Sequence, residues 1–164
     1  MSIDPGEVWR SLSEGMRAQV AAELVGVLKA NPGKHSYGSP GVGTVQHLAM
    51  ELFKKRAGVE LLHIPYKGAA PIVPDLISGQ IPLAIISATP AMAQARAGKA
   101  HVIALTSPVK IAGAPDWPAL ADTYPGFDAS PKLFLLAPAD TPAFTIAKLS
   151  ETLKAALATV DLQQ

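Results

Sequence analysis

Glycine closes one apolar-periodic stretch after another in this chain. Over residues 17–30, Val20, Leu24, Val27 and Leu28 recur at helical spacing, and Asn31-Pro32-Gly33 stops the pattern. Val45, Leu48, Ala49, Leu52 and Phe53 fall at i, i+3, i+4, i+7 and i+8, and Gly58 follows. Pro71 suits a first helical turn, Ile72, Val73, Leu76 and Ile77 form the face behind it, and Gly79 ends it. A further segment opened by Thr89-Pro90 ends at Gly98. Such spacing marks the buried stripe of a helix, and a glycine just past it marks the stop. Strand-like runs alternate with these segments, at 34–37, 59–64, 81–86, 101–106 and 132–137. The run 81–86 is apolar throughout, as in a strand covered on both faces, and Pro82 is tolerable at its beginning. The alternation predicts an α/β fold with a mostly parallel central sheet of about five strands.

The stretch Tyr37-Gly38-Ser39-Pro40-Gly41-Val42-Gly43-Thr44 joins the first strand to the second helix. Thr44 stands where an N-cap belongs. Glycines let a backbone come close to a ligand, and the free N–H groups of a first turn carry the positive end of the helix dipole. The amides of residues 41–44 are therefore expected to converge on an anion, and a carboxylate or a phosphate would suit them equally. A βα turn that binds nothing fits the same residues. The loop lacks the Gly-Lys-Ser/Thr ending of a phosphate-binding P-loop. Gln46 stands where a dinucleotide fingerprint needs a third small residue, and Ser39 lacks the spacing of a nucleophile elbow.

The 164 residues predict one domain with an appendage, large enough for a proper core. A charged fraction of 16% and a net charge of +1 argue against nucleic acid, since the one basic run, Lys54-Lys55-Arg56, sits at a helix end. The absence of cysteine excludes disulfides and thiolate chemistry. Residues 1–16 read as a leader or a frayed helix; Asp4, Glu7 and Trp9 leave no apolar run there, so no signal peptide is expected in these residues. No apolar stretch approaches the ~20 residues of a membrane-spanning helix.

For catalysis no nucleophile, base and orienting group can be assembled, and no cofactor or metal is expected. His47 and Glu51 are four apart on one helix, but two ligands without a third read as a solvated or capping histidine. His63 and His101 fall in strands and read as core or edge residues, and Trp117 as packing for a proline-rich loop. Tyr66-Lys67 follows a strand end, where α/β proteins place ligands.

The order of motifs resembles one family. It runs from Gly41-Val42-Gly43-Thr44 with His47, through Ala57-Gly58-Val59, to His63-Ile64-Pro65-Tyr66-Lys67-Gly68. Asp75-Leu76-Ile77-Ser78-Gly79-Gln80, Ala97-Gly98-Lys99, Ala104-Leu105-Thr106-Ser107, Pro125-Gly126-Phe127 and Ala137-Pro138 with Thr141-Pro142 follow. The sequence is similar to the extracytoplasmic solute receptors of tripartite tricarboxylate transporters, the Bug proteins. The resemblance implies a periplasmic-binding-protein-like (type II) fold of two α/β lobes, with a carboxylated ligand between them. This chain would supply the second, three-layer lobe over residues 17–137. Residues 138–164 would be a helix belonging to a first lobe that is largely missing. The ligand-binding residues implied are Ser39, Gly41, Val42, Gly43 and Thr44, then Tyr66, Lys67 and Ser87. Two positions depart from the family pattern: Ile86 stands where a polar residue is usual, and Lys132 where an aromatic is common.

Three functions follow as expectations. The resemblance implies a periplasmic receptor lobe, not an enzyme, that binds a small carboxylate and works with membrane transporter subunits. A truncated lobe that self-associates is the second reading, and a small enzyme for a phosphorylated substrate the third. Asp and Glu are absent from 34–50, which counts against the last. The helix from Pro142 carries Ile146, Leu149, Leu153, Leu157 and Val160 on one stripe. In the family that stripe faces the first lobe, so a homo-oligomer is expected.

Overall fold

Tyr37 has no exposed surface, and the strand that carries it is the middle of the sheet. The structure is a computed structural model that describes residues 14–111, 117–132 and 134–158. The expected leader up to residue 13, Pro115, Leu133 and Val160 lie outside the described residues. Two compact units divide at Ser130 and Pro131.

The first unit begins with α1 (Glu14–Ala30) and β1 (Ser36–Ser39), followed by α2 (Val45–Ala57) and β2 (Leu62–Pro65). Then come α3 (Ile72–Ile77), β3 (Leu83–Ala84), α4 (Ala88–Arg96) and the single turn α5 (Leu120–Thr123). The sheet has three strands among the described residues, in the order β2-β1-β3 and all parallel. Tyr37 lies opposite His63 on one side and Leu83 on the other. Leu62 N donates to His35 O at 2.9 Å, Tyr66 N to Ser39 O at 2.9 Å and Ile85 N to Gly38 O at 3.0 Å, so each ladder continues past the strand ends.

Alternation along β1 sends Tyr37 and Ser39 to one face and Gly38 to the other. The first face is covered by α2 and packs with Leu28, Phe53, Ala57, Val59, Leu61 and Phe127 into the main core. On the opposite face Gly38 is crowded. A methyl group there would lie 2.7 Å from Ile81 Cδ1 and 3.0 Å from the Tyr66 ring. Helices and loops on both sides of a parallel sheet give the expected α/β layering.

Several details differ from the sequence reading. The sheet has three strands, not five, among the described residues. Residues 101–106 form one parallel bridge, Leu105 with Ala119, because their backbone is taken by the loop: Leu105 N donates to Pro118 O at 2.7 Å and Ala129 N to Thr106 O at 3.0 Å. The run 81–86 contributes two strand residues. Residues 83–86 are half-buried, since β3 pairs only with β1 among the described residues. The described part of 132–137 is exposed and not in a strand.

The helix stripes are also rotated. On α1, Val27 is exposed, while Leu24, Val25 and Leu28 meet the core. On α2, Ala49, Phe53 and Ala57 are buried, while Val45 and Leu48 face outward. Glu51, bonded to Tyr37, and His47, stacked on His63, claim the remainder of the inward arc. The fourth helix starts after Ser87, not at Thr89-Pro90.

The second unit holds α6 (Ala143–Leu157), with Pro142 before its first residue. Its apolar side chains are exposed: Ile146 by 42%, Leu149 by 51%, Leu153 by 41% and Phe144 by 81%.

The crowding at Gly38 predicts that Gly38→Ala destabilises the chain by about 1–3 kcal/mol, the usual cost of overpacking. Urea unfolding should show a lower midpoint with an unchanged m-value.

Candidate functional site

Because β1, β2 and β3 run parallel, the segments 40–44, 66–71 and 85–87 all leave the same edge of the sheet. Ligands in open α/β sheets bind beyond this carboxyl edge. Two of the three segments are stapled together. Tyr66 N donates to Ser39 O at 2.9 Å, and Gly68 N to Pro40 O at 2.9 Å.

The loop is held by its own side chains. Thr44 caps α2, its Oγ1 accepting from His47 N at 3.3 Å and donating to Gly41 O at 2.8 Å. Ser39, fully buried, accepts from Gly41 N at 3.3 Å through its Oγ. Gly43 takes φ +78°, a conformation that strains any side-chain-bearing residue, and its N–H donates to His47 Nδ1 at 3.1 Å. Thr44 N donates to Gly41 O at 3.4 Å. From sequence, all the amides of 41–44 are expected to converge on one ligand. In this state those of Gly41, Gly43 and Thr44 have acceptors inside the loop. Among the described residues the amides of Val42, Val45 and Gln46 have no acceptor.

The other expected ligand residues are placed variously. The Tyr66 hydroxyl donates to Asp75 Oδ2 at 2.7 Å, which raises its pKa and ties the ring to α3. Lys67 is exposed in the stapled turn. Ser87 is the N-cap of α4, exposed, with no capping bond from its side chain.

Behind the loop stands a group that the sequence reading treated as unrelated residues. His63 Nε2 lies 2.6 Å from Ser39 Oγ. The His63 ring stacks on Tyr37 at 4.9 Å and on His47 at 4.1 Å, the latter pair within 14° of parallel. The Tyr37 hydroxyl donates to Glu51 at 2.9 Å, and Lys54 Nζ meets the two Glu51 oxygens at 2.8 and 3.0 Å. Burial, and then the hydrogen bond to Glu51, push the Tyr37 hydroxyl well above its ordinary pKa. Burial pushes the Glu51 carboxyl up, but the bonds from Lys54 and Tyr37 outweigh it and hold it low. Burial, and then the proximity of the His47 ring, lower the His63 pKa. The signal for this group was register. Once Tyr37 pairs with His63, the two rings share a face, and a residue one turn into α2 reaches them.

Ser39 Oγ and His63 Nε2 have the separation of a nucleophile and its base. Ser39, however, has no surface a substrate could reach. His47 and Glu51 do not form a metal site with a third ligand; among the described residues no cluster of three metal-ligating side chains occurs. A cavity of about 320 Å³ is lined by Glu51, Lys54, Lys55, Gly58, Val59 and Glu60, away from the loop.

Residues 15–163 match the family model described as the tripartite tricarboxylate transporter family receptor. The chain belongs to this receptor family. It is a family of solute-binding receptors, not of enzymes. The UPF0065 protein in the tcbD-tcbE intergenic region of Pseudomonas sp. (strain P51) is 34% identical over 142 residues, covering 85% of this chain and 42% of that protein. The protein BugT of Bordetella pertussis is 33% identical over 135 residues, covering 82% and 41%. Among solved structures, R. palustris Rpa4515 with adipate has a TM-score of 0.75 at 30% identity, over 86% of this chain and 48% of that one. The periplasmic binding protein BugD has a TM-score of 0.65 at 30% identity, covering 87% and 48%. The chain thus spans less than half the length of these receptors. Its α/β architecture with a parallel sheet is that of periplasmic binding proteins.

Two outcomes follow. Thr44→Ala should cost about 1 kcal/mol through loss of the cap, read by thermal or urea unfolding. Stability should also fall on acidification. His63 has a lowered pKa in the folded state, so its contribution is complete above the ordinary histidine value, about 6.5, and is lost as the pH falls below it. Glu51, also lowered, adds a second loss as pH falls below the ordinary carboxylate range. Melting curves from about pH 8 to about pH 5 should show the first loss, and His63→Gln should flatten it.

Proposed function

We propose that this chain is the second lobe of a periplasmic solute receptor, and that its loop 39–44 takes a carboxylate of a small metabolite for tripartite tricarboxylate-type uptake with membrane transporter subunits. One observation carries the reading: a glycine-rich loop opens a capped helix at the carboxyl edge of a parallel sheet, stapled to the turn 66–68, in a chain of a solute-receptor family. The adipate in a structural relative supports a dicarboxylate as the first probe. In this proposal Gly41, Val42, Gly43 and Thr44 form the seat, and Ser39, the fifth residue implied by the resemblance, is buried behind them and holds the loop through the Gly41 N–H without reaching the ligand. Lys67 and Ser87 stand beside it, and Tyr66 acts through the backbone of its turn, since Asp75 holds its hydroxyl. Residues 17–137 serve as the lobe and 138–164 as a helix of the other lobe.

Only one side of a ligand is enclosed by such a lobe, and water stays on the other. Dicarboxylates should therefore bind this chain with Kd near 1 mM, about 4 kcal/mol. At about a hundredfold excess over Kd, the gain in stability is about 2.7 kcal/mol. Thermal shift with adipate and other di- and tricarboxylates measures this. No shift with any of them at high concentration would sink the carboxylate reading, and a micromolar Kd for the monomeric chain would sink the one-sided seat.

The exposed stripe of α6 favours a second reading, self-association. Fully burying one such side chain is worth about 1.5–3 kcal/mol, so Ile146, Leu149 and Leu153 together favour a covered state strongly. A two-fold homodimer through α6 is the simplest cover. Light scattering should give a dimer for the full chain and a monomer for Leu149→Glu with Leu153→Glu. A monomeric full chain, or a dimer indifferent to the charges, would refute it.

A further inference from the structure

His47 occupies an unusual place. Its Nδ1 accepts the Gly43 N–H at 3.1 Å, so in this state the imidazole is neutral, with its proton on Nε2. The ring lies flat on His63 at 4.1 Å, and His63 is tied through Ser39 Oγ to the loop's first turn. A donated Gly43 N–H and a protonated Nδ1 cannot share that contact, because both would be donors. Protonating His47 must break the bond.

We propose that His47 is a proton-operated gate and a charge-selecting residue of the loop. Neutral, it occupies the Gly43 amide. Protonated, it releases that amide and places a positive charge one turn into α2, so the loop binds an anion more tightly as the pH falls. The proposal rests on the carboxylate reading of the loop for its ligand, but the release of Gly43 does not.

The groups facing His47 set the direction. From β2, His63 stacks on it, and burial lowers the His63 pKa, so a positive charge is disfavoured on that ring. From its own helix, Glu51 one turn on favours the charged ring, and Lys54, bonded to Glu51, opposes it. From β1, Tyr37 stays neutral and feeds a hydrogen bond to Glu51. The dipole at the N-terminus of α2 disfavours a cation there. A bound carboxylate would relieve that penalty, so ligand and proton should bind with positive coupling, and reciprocally. Couplings of this kind span about 5- to 150-fold, and for a partly exposed pair we expect about tenfold. Gly43 takes φ +78°, where a side-chain-bearing residue is strained, so the loop conformation that presents this amide depends on glycine.

The test uses the full chain in two arms. In the first, the Gly43 amide and the His47 ring are followed by NMR between about pH 8 and about pH 5 without ligand. The expected result is one shared midpoint, with the Gly43 titration abolished in His47→Gln, whose amide oxygen keeps the acceptor without the charge. A Gly43 amide that ignores the state of His47 overturns the gate, whatever the chain binds. In the second arm, calorimetry with adipate at both pH values should show about tenfold tighter binding in acid, with proton uptake read from buffers of different ionisation enthalpy. His47→Gln should show neither effect. Adipate binding that is equal at both pH values in the wild type overturns the charge-selecting role. If Gly43 titrates with His47 and no carboxylate binds at either pH, the gate stands and the carboxylate reading of the loop fails.

Discussion

The contact between Tyr37 and Glu51 joins the central strand to the helix that follows it. Tyr37 lies at the middle of the sheet, buried on the α2 face, and its hydroxyl needs a partner there. Glu51 supplies one at 2.9 Å and is itself neutralised by Lys54. A buried hydroxyl left without its acceptor costs about 1–3 kcal/mol. That bond and the burial of Phe53 favour the same rotation of α2 about its axis. With Glu51 turned to the sheet, Ala49, Phe53 and Ala57 drop into the core and His47 comes over His63. The position of the loop follows, because Thr44 and Gly43 are bonded to the first turn of the same helix.

The polar clamp also explains what the pattern of residues conveyed and what it hid. The strand, loop and helix order, the Thr44 cap and the Gly58 stop were all legible, since each is a local matter of backbone conformation. Gly58 takes φ 65° and Thr44 extended angles, as their residue types suggest. The face of α2 was not legible. Val45 and Leu48 extend the apolar stripe toward solvent, beside Ala49, Leu52, Phe53 and Ala57, which turn inward, and the contacts that separate the two groups come from residues distant in the chain. Residues 101–106 were misread for a similar reason. Their strand-like composition is satisfied by one bridge and by bonds to the loop at 118–129, contacts that no local window contains.

The candidate site shows the same division. Residues 39–44 stood out because glycine, hydroxyl and helix start are consecutive. The histidines did not, because their meaning depends on pairing. His63 matters through its register against Tyr37, and His47 through the stacking this allows. A single sequence presents them as two solitary imidazoles sixteen positions apart, and the fold makes them one surface under the loop.

The ladder has a further consequence, at its outer edges. On β2, Leu62 and Tyr66 donate inward to β1, so the alternate residues His63 and Pro65 turn their backbones outward. On β3, Ile85 donates inward, which turns Ala84 outward, and Pro82 lies in the bend just before the strand. The β2 rim therefore carries a proline, which has no N–H to give, and the β3 rim has one immediately before it. A foreign strand laid along either rim would meet a gap in its hydrogen-bond ladder within a residue or two. The small sheet is thereby guarded against growing by strand addition. Fibrous assembly through these edges is disfavoured from the outset.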